Sequence, residues 1–107
     1  MIVRNLDTVF AALSDPTRRA IVDRLKQGPA TVNELAGPFA MTQQAISKHL
    51  AYLEQARVIT KKRHGRLQIC SLRPQAIREV AVWANNYQQF WTQSLERLDT
   101  LLERQAK

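Results

Sequence analysis

Gln43, Gln44, Ser47 and Lys48 stand close together in the run Met41-Thr-Gln-Gln-Ala-Ile-Ser-Lys-His-Leu-Ala-Tyr-Leu53, and their side chains are of the kinds that read and grip nucleic acid. Gln and Ser hydrogen-bond to base edges, and Lys meets phosphate or guanine. On a helix, Gln44, Ser47, Lys48 and Ala51 recur at i, i+3, i+4 and i+7 on one face, while Ile46, Leu50 and Leu53 form an apolar stripe on the other. A merely solvated face more often carries Glu–Lys pairs at i, i+4. This face is short, polar and almost free of negative charge, which suits entry into the major groove of DNA. Ser47 is no nucleophile on this pattern. Its neighbour Lys48 points ~100° away around a helix, and no Asp or His is spaced to complete a triad.

A second group, Lys61, Lys62, Arg63, His64 and Arg66, follows within twenty residues and carries the charge. The chain of 107 residues has a formal net charge of +7, but Thr42 to Arg73 alone holds seven bases and one acid, so the remainder sums to only +1. A concentrated basic patch is the footprint of a polyanion binder. Double-stranded DNA is favoured over RNA because no aromatic platform lies in the basic region. It is favoured over a membrane surface because no basic amphipathic helix and no long apolar run stand out. The acids are scattered, so no enzyme is expected. The lone Cys70 excludes an intramolecular disulfide and a Cys-based zinc site, and it reads as a small strand residue. No metal or cofactor is expected. One domain over 1–107 is expected, and with no signal-peptide pattern after Met1 a cytoplasmic location is the default.

The elements that must position these groups are marked by caps and breakers. Leu6, Val9, Phe10 and Leu13 define a first short helix. Asp15-Pro16 ends it and opens a second, with Asp15 as N-cap and Pro16 at the first helical position. Thr31-Val-Asn-Glu34 has the form of a capping box, and Gly37-Pro38 keeps the helix it opens short. Phe39 and Met41 anchor the turn, and Thr42 caps the next helix, which runs from about 42 to 56. After Ala56 the period changes. Val58–Arg63 and Leu67–Leu72 read as two strands of a hairpin over about 58–72, with His64-Gly65 as its turn. A helix-turn-helix followed by a hairpin with a basic tip is a winged helix.

From Pro74 to about Arg104 the spacing predicts one long helix of about 45 Å, carrying Val80, Trp83, Tyr87, Phe90, Trp91, Leu95, Leu98 and Leu102. That stripe exceeds what the body of so small a chain can cover, and it calls for a second copy. The alternative is two helices folding back on each other, broken at Asn85-Asn86.

Four ordered pieces carry a family resemblance: Ala12-Leu-Ser-Asp-Pro-Thr-Arg-Arg-Ala-Ile21, Thr31-Val-Asn-Glu-Leu-Ala36, Gln44-Ala-Ile-Ser-Lys-His-Leu50 with Leu53-Glu54, and Gly65-Arg66 with Leu72. Together, over roughly residues 6–73, the chain resembles the ArsR-type winged-helix repressors. The tail Trp83, Tyr87, Phe90 and Trp91 is similar to a subgroup without metal-sensing sites. The resemblance implies a mainly α fold with a small β-hairpin, a winged helix-turn-helix, and a homodimer formed by the first and last helices. Leu6, Val9, Phe10, Trp83, Tyr87, Phe90, Trp91, Leu95, Leu98 and Leu102 would line that dimer. It also implies repression from a pseudo-palindromic operator, with release by an effector, small molecule or protein.

Two departures stand out. Leu35-Ala-Gly-Pro38 carries no cysteine where metal sensors have them, and no His follows His64. Arg57 replaces the Gly common after the recognition helix, where a left-handed residue would cost about 1 kcal/mol relative to Gly. His49 borders the apolar stripe and reads as a half-buried packing group. The reading is therefore a DNA-binding repressor with contacts from Thr42, Gln43, Gln44, Ser47, Lys48, Lys61, Lys62, Arg63, His64 and Arg66. The alternative is a winged-helix protein–protein interaction module without DNA binding.

Overall fold

Local hydrogen bonds start and stop the helices that position the basic face. The structure, a computed structural model, describes residues 2–106, with side chains from Leu6. Helix α1 (Ile2–Ala12) is followed by α2 (Pro16–Leu25). The Asp15 carboxylate accepts the Arg18 amide at 3.0 Å, and Pro16 takes the first helical turn. The Arg18 guanidinium then turns back to α1. Its Nε donates to the Ala12 carbonyl at 2.7 Å, and Nη2 donates to Ala11 at 3.3 Å. Arg19 donates to Leu13 at 2.8 Å. The C-terminal carbonyls of α1, which have no partner within their own helix, are thus satisfied by α2. The same Arg18 lies over the Tyr52 ring, 4.1 Å from its centroid, so one side chain joins α1, α2 and the later helix that carries Tyr52.

Thr31 and Glu34 form the expected capping box at the start of α3 (Val32–Ala36). A single 3₁₀ turn, Gly37–Phe39, ends it, and Ala40 takes a left-handed conformation, φ 52°. Helix α4 (Gln43–Gln55) opens on Thr42, whose Oγ1 accepts the Ala45 amide at 3.1 Å. Such a cap contributes about 1 kcal/mol. Ile46, Leu50 and Leu53 are fully buried, as the stripe required. They join Ile21, Leu25, Leu35, Val58, Ile59 and Cys70 in one core, each large side chain contributing about 1.5–3 kcal/mol on burial.

The sheet has three strands, one more than the hairpin expected from sequence. Strand β1 (Ala30–Thr31) pairs with β3 (Leu67–Leu72), which pairs in turn with β2 (Ile59–His64), all antiparallel. Ala30 lies opposite Cys70, and Thr31 opposite Ile69. The residue that caps α3 is thus also bound to the wing. The hairpin register differs by one residue from the sequence reading. His64 is the last residue of β2, opposite Leu67, and the two-residue turn is Gly65-Arg66. Gly65 has φ 62° while Arg66 is not left-handed, the pattern of a type II′ turn with Gly at its first central position.

The single C-terminal helix is also corrected. The structure has α5 (Pro74–Asn85) and α6 (Gln88–Ala106). Asn favours alternative local hydrogen bonds over helix continuation, and the Tyr87 amide shortens to an i−3 bond with Ala84. The break lies where Asn85-Asn86 suggested, but the chain does not fold back. The longest dimension is 66 Å and the radius of gyration 18.5 Å, against about 13 Å for a compact chain of this length. Helix α5 packs on α1, and α6 projects away from the body.

Candidate nucleic-acid interface

Thr42, Gln43, Gln44, Ser47 and Lys48 are all exposed and line one open surface at the N-terminal half of α4. The register of the wing brings a second surface against it. Thr31, Asn33, Gln43, Ser47, Arg66 and Gln68 line a shared concavity of about 300 Å³. Three chain segments distant in sequence therefore converge at Gln43 and Ser47, on the edge of the face that the helical spacing singled out, while Gln44 and Lys48 lie outside this concavity. Within this concavity the Gln43 amide donates to the side-chain oxygen of Asn33. Neither Asn33 nor Gln68 was legible as a site residue. Asn33 read as the interior of a capping box, and its contact spans ten residues with no local signal.

The wing bases divide. Lys62, Arg63, His64 and Arg66 are exposed around the tip. Lys61 lies opposite Cys70 on the core side of the hairpin, and its ammonium sits 3.5 Å from Glu54 of α4 with only 21% of its side chain exposed. Sequence reasoning counted it as a supporting wing contact, whereas the strand alternation turns it toward the helix. Cys70 is buried beside it, and burial raises the thiol above its ordinary value, so the neutral form is favoured and nucleophilicity is low.

His49 is half-buried, with Nδ1 3.9 Å from the Asp15 carboxylate. It joins α4 to the cap of α2. Asp15 is held below the ordinary carboxylate value chiefly by the Arg18 amide, with smaller contributions from His49 and the Arg18 charge. Glu34 is likewise held down chiefly by the Thr31 amide and then the Thr31 hydroxyl. Arg57 is left-handed, φ 61°, the conformation for which the Gly common at this place in the family is suited.

Of the apolar residues assigned to an interface, Val9 is 2% exposed and belongs to the core of its own chain, because its side of α1 faces the body. Leu6 is half-buried. Phe10 meets Trp83 edge-on at 5.3 Å, and Trp83 continues to Tyr87 at 5.2 Å. Phe90, Trp91, Leu95, Leu98 and Leu102 are each more than half exposed, and so are Val82 and Leu101, which the sequence reading had not included. Among the described residues no cluster of three or more His, Cys, Asp or Glu could hold a metal, and no helix is long and apolar enough to cross a membrane.

A helix-turn-helix whose second helix shares its exposed polar face with a basic wing is a winged helix-turn-helix, a DNA-binding class. The chain belongs to the arsR family of bacterial regulatory proteins: residues 15–61 match that family. It is 35% identical over 100 residues to the HTH-type transcriptional regulator Rv2034 of Mycobacterium tuberculosis, covering 94% of this chain and 91% of that protein. It is 39% identical over 82 residues to the transcriptional repressor SdpR of Bacillus subtilis, covering 77% and 91%. A crystal structure of an ArsR family transcriptional regulator superposes with TM-score 0.74 at 39% identity, covering 83% of this chain and 92% of that one. An ArsR-like transcriptional regulator from Rhodococcus sp. RHA1 gives 0.71 at 26% identity, covering 92% and 93%. The protein is a DNA-binding transcriptional regulator of the repressor type, and not an enzyme.

Proposed function

We propose that the chain, as one winged-helix domain over 1–107, forms a cytoplasmic homodimer that represses transcription from a pseudo-palindromic operator. Gln43, Gln44 and Ser47 read base edges, with Thr42 and Lys48 at the backbone. Lys62, Arg63, His64 and Arg66 carry the wing to adjacent phosphates, and Lys61 takes part only when released from Glu54. The observation that carries this reading is the concavity shared by Gln43, Ser47 and Arg66, since a duplex seated on the helix face must also meet the wing.

A two-fold dimer sets its recognition helices ~34 Å apart, so the half-sites lie about one helical turn apart. If such a dimer neutralises on the order of 6–10 phosphates, affinity falls by ~10³–10⁵ between 50 and 200 mM salt. The pair of metal-sensing patterns known in the family is not matched at Leu35–Pro38 or after His64, so release is assigned to a small-molecule or protein effector. Selection of bound duplexes from a random pool tests the reading. A palindromic motif is expected; enrichment of single half-sites removes the dimer, and no enrichment removes specific DNA binding.

A further inference from the structure

Among the apolar surfaces exposed by the described residues, two are complementary. One is the stripe of α6, where Trp91, Leu95, Leu98 and Leu102 step by four, three and four and are 61%, 60%, 51% and 54% exposed. The other is a groove of about 620 Å³ on the body between α2 and α5, floored by Val22, Leu72, Ile77 and Val80. Its rim carries three bases, Arg19, Lys26 and Arg78, and one acid, Asp23.

The charges bordering the α6 stripe are acidic. Helical geometry puts Asp99 and Glu103 along one side of the stripe, while Glu96, Arg97 and Arg104 share the far side of the helix. Two α6 helices packed antiparallel about a two-fold axis would set Asp99 and Glu103 against the same acids of the other copy. A parallel pair would leave the α2–α5 groove unfilled. An acid-flanked apolar helix laid in a base-rimmed apolar groove satisfies both surfaces at once, by charge and by hydrophobicity. Because α6 projects away from its own body, the helix that fills the groove comes from another molecule.

We propose that α6 of a second copy of this chain docks in the α2–α5 groove, reciprocally, with Asp99 and Glu103 facing Lys26 and Arg78. The exchange closes a two-fold dimer, so it rests on the homodimer reading and specifies where the surfaces meet. It also places the partner's helix against Leu72, the last residue of the wing strand β3 and opposite Ile59 of β2. Dimer formation then braces the base of the wing.

The test uses two full-length variants, K26E/R78E in the groove and D99K/E103K on α6. All four positions are exposed, so folding is expected to persist, and circular dichroism checks it. Each variant alone is expected to self-associate roughly tenfold more weakly than the unaltered chain in sedimentation equilibrium. Mixed, they are expected to form heterodimers beyond statistical mixing by native mass spectrometry, because both junctions then join opposite charges.

If K26E/R78E self-associates like the unaltered chain, the groove docking falls while the dimer stands. Merely statistical mixing has the same consequence. An unaltered chain that stays monomeric overturns both the docking and the dimer. Decanoate binding to the unaltered dimer, lost in R78E, would give the groove to a small apolar anion and overturn the docking alone.

Discussion

The Val58 amide donates to the Leu53 carbonyl at 2.9 Å, closing the C-terminus of α4 across the left-handed Arg57. With the Arg57 amide on Glu54 at 3.0 Å, this is a Schellman motif, and Leu53 and Val58 are both fully buried as its hydrophobic contact. The motif normally puts Gly where Arg57 stands. Arg57→Gly is expected to stabilise the fold by about 1 kcal/mol, raising Tm by roughly 4–8 °C. Thermal unfolding followed by circular dichroism checks it, and an unchanged or lower Tm would mean that the arginine side chain compensates its own strain.

The division of the wing bases predicts unequal salt effects. Lys62 is exposed, whereas Lys61 is paired with Glu54. Lys62→Ala is expected to weaken binding to all duplexes and to lower the slope of log K against log salt by about one per half-site. Lys61→Ala should change that slope much less. Equal slopes for the two variants, measured by fluorescence anisotropy, would place both lysines on phosphate.

Gln44 stands on the exposed face of α4 without a side-chain partner in the Asn33 contact that engages Gln43. Gln44→Ala is expected to cost about 1–3 kcal/mol on the preferred operator and to relax preference at one base pair. An equal loss on every sequence would assign Gln44 to the backbone instead of the bases.

Trp91 is 61% exposed beside Phe90, with ring centroids 5.9 Å apart. Trp91→Glu introduces a charge at the N-terminal end of the proposed α6 contact and is expected to yield monomers in sedimentation velocity, with little change in monomer folding because the residue lies outside the core. A persistent dimer would move the interface off α6.

Asp15 and Glu34 both have lowered pKa values, chiefly from the backbone amides they accept. A depressed folded-state value means that these groups contribute stability above the unfolded pKa, and that this is lost as pH falls through the folded one. Tm is therefore expected to decline as pH drops below roughly 4. Asp15→Asn with Glu34→Gln should flatten that decline, since neutral amides do not titrate there. An acid slope identical to that of the unaltered chain would show that other carboxylates dominate.

Local chemistry was legible from residues alone. Asp15, Thr31 and Thr42 cap helices because their oxygens reach amides only three residues away, and the Ile46, Leu50, Leu53 stripe is buried because helical period alone aligns it. The left-handed conformation of Arg57 was suggested only by the family resemblance, in which Gly commonly stands there. What escaped was decided over longer separations. Strand β1 is two residues long, too short for any period to appear, and exists because β3 offers it an edge. The turn at Gly65-Arg66 in place of His64-Gly65 follows from strand register, and the packing of β2 on α4 sets Lys61 beside Glu54. The contact of Asn33 with Gln43 and the α2–α5 groove exist only because packing brings separate elements together. The sequence by itself determined which faces are apolar and which are polar, because period and caps are set within a turn or two of chain. Only the tertiary structure decided which bases stay free for a polyanion and in which direction α6 leaves the body, because both depend on pairings between residues far apart in the chain.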